Sequence, residues 1–226
     1  MGRPSPGILI VATVLALAAP APARAVDCID YGDYIHRAAC LELEDQGRDL
    51  ALRDGLLYAV DEAGLHIFDL ADPLRPLLLG ELAAPDARCL ALRGDIAYLG
   101  SEDADFLAVD IADPTAPAIL SGLAIPTPAT DIELAGDFAY VTVGNAGLQV
   151  LDISTPETPA IHTIVDTPHY ANDLTIQGDY AYIADWNNLV VIDITDLPTE
   201  PLTPGGRPGP SLISVAVSGD YAYLLD

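Results

Sequence analysis

The chain has 226 residues, 34 of them acidic and 9 of them arginine, with no lysine and a formal net charge of −25. Such a surface repels phosphate backbones and anionic headgroups, so nucleic acid is excluded as a partner and cations or basic partners are favoured. No stretch after residue 25 is long and apolar enough to cross a bilayer as a helix.

Residues 1–25 read as a secretory signal peptide. Arg3 precedes an apolar run from Ile8 to Ala19, and Ala23-Arg24-Ala25 offers small residues at the cleavage positions. Cleavage leaves 34 acids against seven arginines, a net of −27, and no membrane insertion is expected afterwards. The expected location is secreted, at the cell surface or in the periplasm. That compartment is oxidising, so Cys28 and Cys40 are candidates for a disulfide whose short loop would contribute about 3 kcal/mol on the chain-entropy account. Cys89 lies in an apolar strand pattern and should pack as a small hydrophobe.

Residues 26–33 form a short N-terminal segment, and a propeller is expected over 34–226. Residues 34–44 have the pattern of a strand that elsewhere comes fourth in a group. From there one pattern recurs five times. Tyr58, Tyr98, Tyr140, Tyr182 and Tyr223 stand 40, 42, 42 and 41 residues apart. Each follows a tight-turn pair: Asp54-Gly55, then Gly94-Asp95, Gly136-Asp137, Gly178-Asp179 and Gly219-Asp220. A period near 42 with short alternating runs reads as one four-stranded β-propeller blade per copy. The copies fall near 49–83, 88–124, 130–166, 172–204 and 212–226. The last holds only two strands, so the expected fold is all-β, four full blades plus part of a fifth. The reading favoured over a closed five-bladed ring is a piece of a longer propeller.

In the third copy the strands are placed at 131–134, 138–141, 148–153 and 161–165. Asp69, Asp110, Asp152 and Asp193 close the third strands and should accept amide hydrogen bonds in the connection that follows. Two prolines three apart then stiffen that connection: Pro73 and Pro76, Pro114 and Pro117, Pro156 and Pro159, Pro198 and Pro201. The tyrosine rings should lie between blades with the hydroxyl on a polar partner.

Gly178-Asp179-Tyr180-Ala181-Tyr182-Ile183-Ala184-Asp185, Leu189-Val190-Val191-Ile192-Asp193-Ile194 and Gly147-Leu148-Gln149-Val150-Leu151-Asp152-Ile153-Ser154 resemble the LVIVD repeat family. The resemblance covers 34–226. It implies a propeller and export by a bacterial secreted or surface protein, and no particular activity. The first copy departs from it by its reversed Asp-Gly pair.

No G-x-S-x-G, H-E-x-x-H, Walker or G-x-G-x-x-G signature is present, and no catalytic residue is assigned. In propellers the loops joining fourth to first strands share a rim with the turns joining second to third. That rim is acidic and amide-rich and carries the sole tryptophan. The candidate ligand-binding residues on it are Trp186, Asp185, Asn187, His169, Tyr170 and Asp103. A second set, Asp49, Asp131 and Asp173, opens three first strands, with Cys89 and Ser214 in the same place elsewhere. Convergent carboxylates suit Ca2+, but turn-forming aspartates more often cap local amides, and that reading is favoured. No other cofactor is expected. Three functions follow: a binding or adhesion scaffold for an extracellular protein or carbohydrate, a propeller-type hydrolase or lyase using His169 with Asp173 or Asp185, and a Ca2+-binding structural module.

Overall fold

The computed structural model describes residues 46–103, 105–195 and 211–226. The signal segment, Cys28, Cys40, the strand placed at 34–44, and Pro198 and Pro201 lie outside the described residues. All regular structure in the described part is β-strand. The first sheet comprises β1 (Asp49–Arg53), β2 (Leu56–Val60), β3 (Gly64–Asp69) and β4 (Leu77–Ala83). The second comprises β5 (Ala87–Arg93), β6 (Ile96–Ser101), β7 (Asp105–Asp110) and β8 (Ala118–Ala124). The third comprises β9 (Asp131–Ala135), β10 (Phe138–Thr142), β11 (Leu148–Asp152) and β12 (Ala160–Val165). β13 (Ala171–Gln177), β14 (Tyr180–Asp185) and β15 (Asn188–Asp193) form the fourth sheet, and β16 (Ser214–Ser218) pairs with β17 (Tyr221–Leu225) in the fifth.

Each sheet is an antiparallel meander because its turns permit nothing longer. Gly94, Gly136, Gly178 and Gly219 take φ near +55°, where a glycine has no Cβ to clash. The reversed first pair works as well: Asp54 (φ 51°) and Gly55 (φ 80°) are both left-handed, as a type I′ hairpin requires. The fourth strand carries a bulge at the same place in three sheets, opposite Ile67/Phe68, Ala108/Val109 and Val150/Leu151. A recurrent bulge on the outer strand bends an otherwise open sheet edge.

The sheets stack with their first strands side by side, β1 on β5, β5 on β9, β9 on β13 and β13 on β16. Three apolar clusters fill the first three of these four gaps. Tyr58, Val60, Leu65 and Ile67 meet Leu90, Ala97, Leu99 and Val109. Tyr98 and Phe106 meet Ala139, Val141 and Leu151. Tyr140, Leu148 and Val150 meet Ala181, Ile183 and Ile192. A tyrosine ring carries about 150–250 Å2 of surface, worth several kcal/mol at ~25 cal/mol/Å2, and one sheet alone has nothing to bury it. The hydroxyls find arginines, as at Tyr98 with Arg93 Nη2 at 3.2 Å and Tyr58 with Arg53 Nη2 at 3.5 Å. The core placement holds for Tyr58, Tyr98 and Tyr140; Tyr182 is only half-buried and Tyr223 is exposed. Their forward neighbour is the two-stranded fifth sheet for Tyr182, and no described sheet for Tyr223.

The aspartates closing the third strands act as turn caps. Asp69, Asp110, Asp152 and Asp193 accept the amides of Ala71, Ala112, Ser154 and Thr195 at 2.8 to 3.0 Å. The proline connections of the second and third sheets also seal the outer side of the first two seams. Ser121 Oγ donates to the Pro156 carbonyl at 2.6 Å. In the preceding sheet Gly80 occupies the matching place, and a Cβ built there would stand 2.3 Å from the Pro114 carbonyl oxygen. Gly80→Ala should therefore push these two sheets apart and cost about 1–3 kcal/mol, measured as a lower urea midpoint; an unchanged midpoint would show that the seam is loose.

Candidate functional site

The first strands form an inner wall, and the carboxylates placed there by the repeat have a specific use. Asp49 Oδ2 accepts the amide of Leu90 at 2.8 Å, Asp131 Oδ2 that of Leu174 at 3.0 Å, and Asp173 Oδ2 that of Val215 at 2.7 Å. Each bond crosses to the next sheet, 41 to 43 residues on. The expectation of purely local caps is thus half the answer. Asp49 Oδ1 and Asp131 Oδ1 do hold their own following amides, Leu50 and Ile132, at 2.7 and 2.8 Å. Where Cys89 replaces the aspartate, the seam has no carboxylate clasp. Arg93 bridges it instead, with Nη1 on the Gly136 carbonyl (2.7 Å) and Nη2 on that of Ile153 (2.6 Å). Gln177 makes the like contact to Gly219 O at 2.9 Å.

A cavity of about 350 Å3 lies along this wall, lined by Asp49, Asp131 and Glu133 with Leu90 to Leu92, Ile132 and Leu134. Burial raises the carboxyl of Asp131 well above its ordinary range, helped by hydrogen bonding to, and repulsion from, the Asp173 carboxyl; its two amide donors pull the other way and do not prevail. Burial also raises Asp49 and Glu133, with the Asp173 charge adding in both. Cys89 is buried as expected, and burial with Asp131 and Asp49 nearby pushes its thiol far up, which keeps it protonated and unreactive. Among the described residues no group of three or more His, Cys, Asp or Glu side chains converges closely enough to hold a metal ion. Both oxygens of Asp49 and of Asp131 are already engaged by amides.

On the rim, the two kinds of loop do meet. Asp86 N donates to Glu62 O and Glu102 N to Asp86 O, each at 3.0 Å. Over the first two sheets two arginines pair with three of the rim acids: Arg48 reaches Glu62 (3.0 Å), Glu102 (3.4 Å) and Asp86 (4.0 Å), while Arg88 takes Glu102 at 3.1 Å. Asp61 is fully buried, accepts the amides of Ala63 and Gly64, and touches His66 Nε2 at 3.0 Å. His66 Nδ1 reaches Glu81 at 3.2 Å.

Over the fourth sheet the rim differs. Asp185 occupies the place that Asp61 has in the first copy and is likewise buried. Its oxygens accept Thr167 Oγ1 at 3.0 Å and the backbone amide of His169 at 2.9 Å. It therefore fixes the loop from below and is not offered to a ligand. Burial is the largest influence on it and raises its carboxyl against those two donors. The bond goes to the His169 amide and not to the imidazole, so these two residues do not form the acid–base pair that the hydrolase reading offered as one of its two, the other being His169 with Asp173. Trp186, the next residue, is 46% exposed and has φ of +50°. A bulky side chain in the left-handed region is a strained conformation that clusters at functional sites. Asn187 and Asn188 follow, half-buried, and Asn172 Nδ2 holds the Leu212 carbonyl at 2.7 Å while the Leu212 amide donates to Trp186 O. His169 is exposed; the ring of Tyr170 lies over Gly144 in the third sheet, filling the space a Cβ there would take. Asp103 is exposed in the second sheet's rim, with the third sheet between it and Trp186.

The inter-sheet role of the inner aspartates was hidden from sequence reading because their partners are backbone amides one period away. The signal available was the period itself, Asp49, Asp131 and Asp173 in register. Arg53, Arg93 and Gln177, at the ends of their first strands, carry the same signal.

Antiparallel four-stranded sheets stacked by their faces through a regular repeat define a propeller-like repeat scaffold. A model of the LVIVD repeat matches residues 84–122, 127–167, 168–202 and 212–226, more than half of the chain, and the chain belongs to that family. The first copy, with its reversed turn, is outside those matches yet folds into a four-stranded sheet of the same strand order. Among solved structures, the computationally designed Ika8 protein is similar at a TM-score of 0.64 and 12% identity, over 81% of this chain and 56% of that one. The designed Ika4 protein follows at 0.58 and 14%, over 70% of this chain and 98% of that one. Kluyveromyces lactis Hsv2 gives 0.57 and 12%, over 79% and 56%. The chain thus spans about half the length of the first and third of these. Among curated proteins there is no match. At these identities the likeness shows the fold alone.

Proposed function

We propose that this repeat scaffold is exported and binds carbohydrate through the rim of its fourth sheet, with Trp186 as the platform. The observation that carries this reading is the half-exposed indole held at positive φ. The surroundings favour a neutral, hydroxyl-rich ligand. Asp185 is buried with its oxygens taken by Thr167 and the His169 amide, so it makes no direct contact with a ligand on the surface. What remains beside the indole is Asn187 and Asn188, side-chain amides that hydrogen-bond sugar hydroxyls while the indole covers an apolar sugar face. His169 and Tyr170 flank the rim on the side of the third sheet; Asp103 belongs to a separate part of it.

Trp186 is the sole tryptophan in the chain, so its fluorescence reports this position only. Neutral glycans that bind should shift or quench the emission and protect it from iodide. Trp186→Ala should abolish glycan binding on an array while leaving the melting temperature within a few degrees. Equal binding by wild type and Trp186→Ala would remove the site. An extracellular protein ligand, the other class the rim admits, would appear as captured protein with no glycan signal.

A further inference from the structure

We propose that residues 166–170, the loop beside Trp186, act as a strap that one buried carboxyl, that of Asp185, fastens in acid and releases when it ionises. The two ends of the loop are fixed without it. Val165 closes β12, and the amide of Ala171 donates to the Gly144 carbonyl at 3.1 Å. Between those ends, among the described residues, the hydrogen bonds that tie the loop down both end on Asp185: Thr167 Oγ1 at 3.0 Å and the His169 amide at 2.9 Å. Tyr170 adds its ring, seated over Gly144. That the strap borders a ligand site rests on the reading of Trp186 above; the strap itself does not.

Asp185 is 0% exposed, yet among the described residues it makes no ion pair; its two donors are a hydroxyl and an amide, both neutral. Asp61 stands at the same place in the first sheet, and there His66 Nε2 meets the carboxylate at 3.0 Å. His66 pairs with Ala59; the residue at that place in the fourth sheet, paired with Ile183, is Val190. A carboxylate shut in without a cation loses more hydration than two neutral donors return, and burial accordingly raises the Asp185 carboxyl despite them. The other charges acting on it belong to the strap and oppose each other, His169 lowering it and Asp166 raising it. Its strand neighbours Ala171 and Asn188, and Gly144 bridged to Ala171, are neutral, while Asp173 is turned to Val215 of the fifth sheet. Opening the strap lets water reach the carboxylate and restores its ordinary acidity. The closed strap therefore binds the proton more tightly than the open one, so acid favours closure and ionisation favours opening.

The test needs no glycan, so its outcome is separate from that of the sugar reading. In the full chain, carbon magnetic resonance of the Asp185 carboxyl should give a midpoint above 3.8. Protection of the His169 amide, corrected for intrinsic exchange at each pH, should fall by up to about tenfold per pH unit while Asp185 ionises, the slope that one linked proton sets. Asp185→Asn keeps an acceptor for the His169 amide, carries no charge, and should hold protection constant. Thr167→Val removes a donor to the carboxylate and should move the transition to higher pH. His169→Gln keeps the amide, removes the imidazole, and should leave the transition in place. Constant protection in wild type, an undiminished slope in Asp185→Asn, a transition unmoved by Thr167→Val, or one lost with His169→Gln would each overturn the proposal.

Discussion

Asp131→Ala should be among the most damaging single changes on the inner wall. Its carboxyl holds Ile132 N and Leu174 N, and alanine leaves both amides without their acceptor. A buried amide left unpaired costs about 1–3 kcal/mol, so the loss should be about 3 kcal/mol, or roughly 10 °C in melting temperature for a chain of this size. The damage should localise to the seam between the third and fourth sheets, visible as faster amide exchange across β13. Asp131→Asn keeps a carbonyl for one amide and should cost less than half as much. A loss below about 1 kcal/mol for alanine, the range of an exposed ion pair, would mean that the clasp contributes nothing beyond surface electrostatics.

The melting temperature should rise on acidification from neutral pH before it falls. Asp131, Asp49, Glu133 and Asp185 all have carboxyls raised by burial. A group raised in the folded state binds its proton more tightly there than in the unfolded chain. Its favourable contribution is complete below the unfolded values, 3.8 for aspartate and 4.5 for glutamate, and is lost as pH climbs through the folded value. Asp61 acts in the opposite sense. Its carboxyl is held low chiefly by the hydrogen bond from His66, then by Gly64, against the desolvation that would raise it. That contribution is present above 3.8 and disappears as pH falls through the lowered folded value. The exposed caps Asp113, Asp152 and Asp193, lowered by Thr115, Ser154 and Thr195, titrate in the same acid range. Stability should therefore peak on the acid side of neutrality, near the ordinary carboxylate range, and Asp131→Asn should flatten the slope above that peak. A melting temperature that falls steadily from neutral pH downward would show that the inner acids do not govern the balance.

Much of the fold was legible because it is local. Alternation of period two, a left-handed glycine in each hairpin between first and second strands, and prolines that forbid a strand from continuing placed β9 to β12 within a residue or so of where they lie. The caps at Asp69, Asp110 and Asp152 act over two residues and could be read from the turn chemistry alone. Trp186 could be named for the same reason, since a two-residue turn between Asp185 and Asn188 must project its central side chains.

Other features depend on atoms brought from a distance. Asp185 and Trp186 are neighbours in the chain, yet one is buried under Thr167 and His169 and the other faces solvent. Sequence order cannot distinguish them; the fold of the loop above can. The inner aspartates bond to amides a full period away, which only the stacking of sheets makes adjacent. Sequence by itself thus determined the repeat, the strands and their turns, whose energetics involve residues a few positions apart. Tertiary structure decided which acids are shielded and raised, which arginine replaces a missing clasp, and which tyrosines are left uncovered. Burial and cross-sheet hydrogen bonding are properties of the assembled stack, and no single copy of the repeat contains them.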